Sequence, residues 1–332
     1  MHASRDRSSR STGLVLALVS ACSFGGSGVA AKPLIEAGLG PLQVVWIRLA
    51  GAALIVLPLA WRHRSLVRRR PALLAGFGLL GVAGVQIGYF AALSRIPVGV
   101  AVLVEYLGPP LLLCWMRFVG RRPVSRGAVM GVVLAVGGLS CVVEVWSGLR
   151  FDVVGLLAAG GAACCTVAYF LMADHAGADG DGADPVGVIA FGLLVGAVLL
   201  TAVAHPWDLD WTVLSGPADL GGSRVPCALL VAWLVLPATV VAYFTGVLSV
   251  RRLSPQVAGV VAYLEAVVAT VLAWLLLGEH LAAPQIVGGV LVLAGAFIAQ
   301  SAAPKRASAG PVAEGGRTAP DVQSHGMGVS NG

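Results

Sequence analysis

The chain has 332 residues, of which 58% are hydrophobic and 11% are charged, and 44 positions are glycine. An ordinary soluble domain carries roughly 25% charged residues, so this composition excludes a soluble enzyme, a disordered protein and a collagen-like fibre. The net charge of +6 comes from short clusters between long apolar runs, a pattern typical of membrane topology signals and not of a nucleic-acid-binding face. The sequence is that of a polytopic membrane protein.

Ten apolar runs are long enough to cross a bilayer, which takes roughly 20 helical residues. In chain order they are residues 13–31, 42–61, 71–93, 98–116, 124–145, 153–172, 185–204, 226–247, 257–277 and 281–301. None of them alternates polar with apolar residues, and lipid offers no partner to an open strand edge, so all ten are expected to be helices. The predicted fold is an all-α integral membrane protein with ten transmembrane helices.

The composition and the basic residues predict what lies outside these helices. Residues 1–12 and 302–332 lack any apolar period, so we expect disordered cytoplasmic segments there. With a cytoplasmic N-terminus, cytoplasmic segments hold 17 of the 22 Lys and Arg residues and the opposite side holds four. The loop 174–184 carries only acidic charges, but these contribute little to orientation. The positive-inside rule therefore predicts a multi-pass protein of the inner (plasma) membrane with both termini in the cytoplasm.

An internal repeat appears when the sequence is shifted by 157 residues. The shift superimposes an aromatic residue and two glycines, namely Tyr106 on Tyr263, Gly131 on Gly288 and Gly138 on Gly295. We therefore predict two repeats of five helices, residues 13–146 and 153–301. Because five is odd, the second repeat must enter the bilayer from the opposite side. Such an inverted pair can open alternately to each face around a site near mid-membrane, which favours transport.

Three charged residues stand out because they lie away from the ends of the apolar runs, where a charge costs roughly 2.5–3.5 kcal/mol on insertion scales. They are Arg48, Glu105 and Glu265. Buried carboxylates can bind a substrate ammonium group or carry protons. The alternative is a structural ion pair, for example between Arg48 and Glu105. Lys32 and Glu36, at the end of the first run, are expected to reach the membrane interface.

Uncharged polar and aromatic residues complete the predicted substrate path. These candidates are Gln86, Tyr89, Tyr106, Tyr169, Trp233, Tyr243 and Tyr263. Each could instead bond or pack against a neighbouring helix, although the repeat places Tyr106 and Tyr263 in equivalent positions. The six cysteines form no zinc-type spacing and no nucleotide-binding loop occurs. We therefore expect no metal, no cofactor and no disulfide.

Motifs in three of the runs carry a family resemblance. They are Pro41-Leu42 followed by Arg48 in the second run, Ile96-Pro97-Val98-Gly99-Val100-Ala101-Val102 continuing to Glu105-Tyr106-Leu107-Gly108-Pro109 in the fourth, and Tyr263-Leu264-Glu265-Ala266 closing at Gly278-Glu279 in the ninth. They resemble the EamA family of the drug/metabolite transporter superfamily, and the fourth-run motif is similar to its threonine/homoserine exporter subgroup. The chain departs from the pattern at Gly120-Arg121, where a Gly-Glu pair is expected, and at Ala266, where the subgroup tends to have proline.

The resemblance implies efflux of amino acids or similar small metabolites in exchange for protons. The leading prediction is thus a secondary transporter of a small-molecule substrate, with protons as the coupling ion. It lies in the lipid bilayer and has no nucleic-acid partner. Whether it forms a homodimer is left open. One alternative is another cargo on the same fold, such as a drug, a nucleotide sugar or a lipid. A membrane-embedded enzyme is disfavoured because the runs contain no histidine. A purely structural role leaves the buried charges unexplained.

Overall fold

The structure is a computed structural model that describes residues 2–121, 124–144, 152–177, 184–250, 252–253 and 255–302. The first half of the chain forms α1 (His2–Glu36), α2 (Pro41–Arg62), α3 (Ser65–Arg69), α4 (Pro71–Gly76), a first π-helical segment (Phe77–Gly84), α5 (Val85–Leu93), α6 (Val98–Glu105), α7 (Gly108–Phe118) and α8 (Arg126–Val143). The first π-helical segment joins α4 to α5, so these three elements form one continuous helical run.

The second half begins with the long helices α9 (Val153–Gly177) and α10 (Pro185–Ala204). A more varied stretch follows, with a 3₁₀ turn (Pro206–Asp208), α11 (Trp211–Ser215), β1 (Pro217–Leu220) and β2 (Ser223–Pro226). The chain then returns to helix with α12 (Cys227–Val235), a second π-helical segment (Leu236–Val241), α13 (Ala242–Val250), α14 (Pro255–Leu277) and α15 (Ala283–Ala302).

Within the described residues, eight helical stretches are long and apolar enough to cross a membrane. They are Ser11–Glu36, Pro41–Arg62, Pro71–Leu93, Val98–Phe118, Arg126–Val143, Pro185–Ala204, Cys227–Ser249 and Ala283–Ser301. Two shorter apolar stretches, Val153–Tyr169 and Tyr263–Leu277, lie in α9 and α14. The chain is therefore a mostly helical, multi-pass membrane protein, while the count of ten spans stays a prediction.

Capping residues and prolines set the helix boundaries. Pro185 occupies the first turn of α10, and the Asp184 side chain accepts a hydrogen bond from the Val186 N–H at 3.3 Å, which satisfies one of the free N–H groups at a helix start. The fourth apolar run is broken, because α6 ends at Glu105 and α7 restarts at Gly108. Prolines at 109 and 110 have no N–H to continue the helical ladder across this break.

Two local predictions differ from the structure. The prediction of an all-α fold is wrong at β1 and β2, which pair antiparallel across Gly221 and Gly222. Both glycines have positive φ, +57° and +85°, as a two-residue hairpin turn requires. Helix α1 begins at His2, although the composition predicts disorder up to residue 12; no proline or glycine interrupts residues 2–12. The predicted disordered tail lies outside the described residues beyond position 302.

Helices of the two halves pack against each other throughout. Helix α1 packs against α13 and α14, α2 against α10, α5 against α9, and α8 against α15. The α8–α15 contact is the most extensive of these. A Cβ at Gly131 would lie 2.7 Å from the Gly295 carbonyl oxygen, and one at Gly138 would lie 2.7 Å from that of Gly288. Small residues of this kind let two backbones touch.

Candidate functional site

A small cavity of about 30 Å³ lies between helices of both halves. Its walls combine three charged groups with polar and apolar side chains. The lining residues are Phe24, Ser27, Arg48, Val85, Gln86, Tyr89, Glu105 and Glu265. Five of these residues are sequence-predicted site residues. The volume is enough for one or two water molecules, so the helices enclose the charged groups tightly in this conformation.

The guanidinium of Arg48 is the most buried charge at the cavity, with 1% of the residue exposed. Its Nε donates to Thr239 Oγ1 at 2.6 Å, Nη1 donates to Ser27 Oγ at 2.7 Å and Gln86 Oε1 at 3.0 Å, and Nη2 donates to the Ala238 carbonyl at 2.7 Å. All four acceptors are neutral. A buried cation is tolerated only when its donors are satisfied, and here the surrounding helices satisfy four of the five.

The second π-helical segment supplies two of these acceptors. Thr239 is fully buried, and its hydroxyl donates to the Leu234 carbonyl at 2.7 Å while accepting from Arg48. Pro237 lies within the same segment and contributes no N–H to the helical ladder. The wider π-helical turn is a common device at functional sites, and here it presents the Ala238 carbonyl to the guanidinium.

The two carboxylates at the cavity have different surroundings. Tyr106 donates its hydroxyl hydrogen to Glu265 Oε2 at 3.2 Å, and its ring lies 5.4 Å from the ring of Tyr263. Glu105 is half-buried and makes no hydrogen bond or ion pair with any residue in the described ranges. The ion pair considered between Arg48 and Glu105 is likewise absent among the described side chains.

The remaining predicted site residues lie outside the cavity wall. Tyr243 packs edge-on against Phe24, a lining residue, at 5.0 Å. Tyr169 packs against Phe77 of the first π-helical segment at 4.9 Å. The Tyr263 hydroxyl donates to Gln300 Oε1 at 2.8 Å. Trp233 is 43% exposed, which places it on the outer surface of the helix bundle.

Sequence reasoning missed Thr239, Phe24 and Val85, which shape the site. Ser27, a polar residue inside the first apolar run, lies beside Gly26 and Gly28 in α1, a run of small residues that indicates close helix contact. Thr239 follows a proline inside an apolar run, which could have indicated a break in the helical ladder. Phe24 and Val85 carry no sequence signal that distinguishes them from core residues.

A further ion pair lies at the end of the bundle where α1 and α14 end and α6 begins. Lys32 Nζ lies 2.5 Å from Glu279 Oε1, and the Val98 N–H donates to Glu279 Oε2 at 2.9 Å. The side chains of Lys32 and Glu279 are only 21% and 12% exposed. Lys32, which is expected to reach the membrane interface, is thus paired with Glu279 within the protein at this end of the bundle.

Comparisons with known proteins identify the family of this chain. The sequence matches the family described as "EamA-like transporter family" twice, over residues 11–143 and 153–300. The threonine/homoserine exporter RhtA of Escherichia coli (strain K12) is 30% identical over 291 residues, which cover 87% of this chain and 89% of the relative. The protein of that name from Salmonella typhimurium (strain SL1344) is 29% identical over 283 residues, 84% of this chain and 88% of the relative.

One solved structure, described as "Crystal structure of protein", resembles most of the chain. It superimposes with a TM-score of 0.54 at 19% sequence identity and covers 88% of this chain and 99% of the other. At this identity the likeness shows a shared fold and no more.

Proposed function

The chain belongs to the EamA-like transporter family, and from that premise we propose that it exports amino acids or similar small polar metabolites by proton-coupled alternating access. Family membership makes it a membrane transporter and not an enzyme. The observation that carries the finer proposal is the cavity in which Glu105 and Glu265 face the fixed charge of Arg48.

Two inverted repeats of five helices are part of the proposal. Helices α8 and α15 are equivalent under the 157-residue shift, and their glycine contacts run Gly131 to Gly295 and Gly138 to Gly288. Increasing residue numbers in one helix thus meet decreasing numbers in the other, so the two helices are antiparallel. Equivalent helices that run in opposite directions are what an inverted repeat requires.

The two π-helical segments give independent support for the repeat. Shifted by 157, residues 77–84 fall on residues 234–241, and the second segment is Leu236–Val241. The first family match ends at residue 143 and the second begins at residue 153. This boundary agrees with the one between the two predicted repeats. We therefore propose ten membrane-spanning helices with both termini in the cytoplasm, an orientation supported by the distribution of Lys and Arg.

An amino acid is a suitable cargo for this cavity because it carries an ammonium and a carboxylate. Glu105, which has no described hydrogen-bond partner, is available to accept from the ammonium, whereas Glu265 is held by Tyr106. Charge-assisted hydrogen bonds of this kind are the strong ones. The relatives named threonine/homoserine exporters make small hydroxylated amino acids the first substrates to test.

Coupling to protons follows from the same carboxyl group. A protonated Glu105 has lost the negative charge that holds an ammonium group, so proton and substrate occupy it in turn. Each passage through the alternating-access cycle then exchanges one for the other. The cavity of about 30 Å³ is too small for a free amino acid, so helices must separate before the substrate binds.

The direct test uses purified protein in proteoliposomes with an imposed pH gradient and labelled threonine or homoserine. We expect gradient-driven flux in the parent protein and flux at the protein-free background in Glu105→Gln. Glu36→Gln makes the same chemical change at the exposed end of α1 and should transport normally. Unchanged flux in Glu105→Gln would remove this carboxylate from the mechanism.

The cargo is tested separately, by comparing metabolites in the medium of cells with and without the gene. We expect at least one amino acid to be depleted from the medium when the gene is deleted. A difference confined to a drug, a nucleotide sugar or a lipid would instead favour the alternative cargo on the same fold.

A further inference from the structure

One carboxylate joins the ends of three helices. Glu279, two residues after α14, accepts from Lys32 Nζ of α1 at 2.5 Å. The same carboxylate accepts from the backbone N–H of Val98, the first residue of α6, at 2.9 Å and 3.2 Å to its two oxygens. Both oxygens are therefore engaged, and the free N–H at the start of α6 is satisfied by a residue 181 positions away.

The same three helices carry four of the eight residues that line the cavity. Ser27 lies on α1, Glu105 on α6 and Glu265 on α14. Val98 precedes Glu105 by seven residues, so the contact lies about 10 Å from the cavity along α6. Under the proposed orientation this end of the bundle faces away from the cytoplasm. The contact therefore stands between the cavity and the outside.

The β-hairpin covers the same end of the bundle. Gly221 at its turn lies against the Leu276 carbonyl near the end of α14, so closely that a Cβ there would clash with that oxygen. Strand β1 also contacts α1. The hairpin and the Glu279 contacts thus hold α1 and α14 together at the same end of the bundle.

We infer that Lys32, Glu279 and the Val98 N–H form the outer gate of the transporter, which is closed in this structure and must open for substrate release. The inference rests on the alternating access proposed above. The charges are largely buried, so loss of one partner leaves the other poorly solvated. Opening replaces these contacts with water on both groups at once.

A second ion pair near this end provides a matched control. Arg95 Nη1 lies 3.3 Å from Asp152 Oδ2, but these side chains are 48% and 40% exposed. Exposed pairs contribute little, and neither residue belongs to α1, α6 or α14. Removing the Arg95 charge should therefore leave the gate closed.

The experiment measures access to a reporter cysteine beneath the gate. Thr270 is half-buried on α14, beside Gly99 of α6 and between Glu265 and Glu279 in the chain. Thr270→Cys is introduced into the full chain in right-side-out membrane vesicles. A membrane-impermeant, positively charged thiol reagent is added outside without substrate, and mass spectrometry follows modification at position 270 alone.

We expect Lys32→Met and Glu279→Gln each to raise the modification rate about tenfold, the factor for loss of one charged hydrogen bond. Lys32→Arg keeps the charge and a donor and should restore the parent rate, which separates gating from misfolding. Arg95→Met should leave the rate unchanged. Equal rates in Lys32→Met and the parent would overturn the inference, as would an equal increase in Arg95→Met.

The outcome of this measurement does not depend on which cargo the protein carries. Modification at position 270 reports the opening of the helices and involves no amino acid. Absence of threonine flux together with a tenfold faster modification would therefore contradict the cargo and keep the gate.

Discussion

The charged groups on the two sides of the central cavity differ in how many hydrogen bonds they make. On one side Arg48 is 1% exposed and donates to four neutral acceptors between 2.6 Å and 3.0 Å. On the other side Glu265 accepts one hydrogen bond, from Tyr106 at 3.2 Å, and Glu105 accepts none from the described residues. The cation is fixed by the fold, whereas the carboxylates keep free acceptor capacity facing the cavity.

This difference indicates that Arg48 stabilises the fold, whereas the two carboxylates exchange partners during transport. A transporter needs groups that change partners during its cycle, and a fully satisfied group cannot do so without losing several hydrogen bonds. Substitutions at Arg48 should therefore act mainly on stability, and substitutions at Glu105 mainly on transport.

Arg48→Met should have the largest effect, lowering the free energy of unfolding by about 3–5 kcal/mol, because each buried acceptor left without a donor costs about 1–3 kcal/mol. The buried acceptors on Ser27, Gln86, Thr239 and Ala238 would lose their donor. Chemical unfolding in detergent micelles, followed by circular dichroism, measures the loss. Arg48→Lys keeps the charge without the planar set of donors and should fall between Arg48→Met and the parent. A loss below 1 kcal/mol in Arg48→Met would show that the guanidinium is not structural.

Tyr106→Phe should lower the free energy of unfolding by about 1 kcal/mol, because Glu265 loses its hydrogen bond. Flux in proteoliposomes should fall several-fold, since the Glu265 carboxylate is no longer held in place. Stability and flux are measured on the same preparation. Full flux in this variant would mean that the tyrosine hydroxyl does not position Glu265.

Tyr263→Phe is the matched comparison, because the 157-residue shift makes Tyr263 the equivalent of Tyr106. Its hydroxyl donates to Gln300 Oε1 at 2.8 Å. This hydrogen bond points away from the cavity, so transport should be unchanged. The stability loss should stay within about 0.5 kcal/mol, as for most surface changes. A fall in flux as large as that of Tyr106→Phe would place Tyr263 on the substrate path.

Glu105→Gln should have the smallest effect on stability, within about 0.5 kcal/mol, while abolishing flux. The amide has nearly the same shape, and no described hydrogen bond depends on the carboxylate. The thermal midpoint and the proteoliposome flux are compared with those of Arg48→Met. If Glu105→Gln destabilises the protein as strongly as Arg48→Met does, the contrast between the two sides of the cavity is wrong.

Sequence reasoning identified the charged members of the site because lipid makes intramembrane charges rare. Arg48, Glu105 and Glu265 needed only hydropathy to be found, and all three line the cavity. The aromatic candidates were harder, since a tyrosine in an apolar helix looks the same whether it faces a cavity or a neighbour. Tyr89 lines the cavity, but Trp233 is 43% exposed on the outside, and helical period alone does not reveal the direction.

The sequence by itself determined that this protein is a helical membrane protein with apolar runs, a repeat at 157 residues and charges inside its spans. Those properties are local, because hydropathy and helix breaks depend on neighbouring residues. Only the tertiary structure decided which charge is satisfied and which is free. The partners are 191 residues apart for Arg48 and Thr239, 159 for Tyr106 and Glu265, and 247 for Lys32 and Glu279. Helix packing creates such contacts, and no stretch of sequence contains both members of the pair.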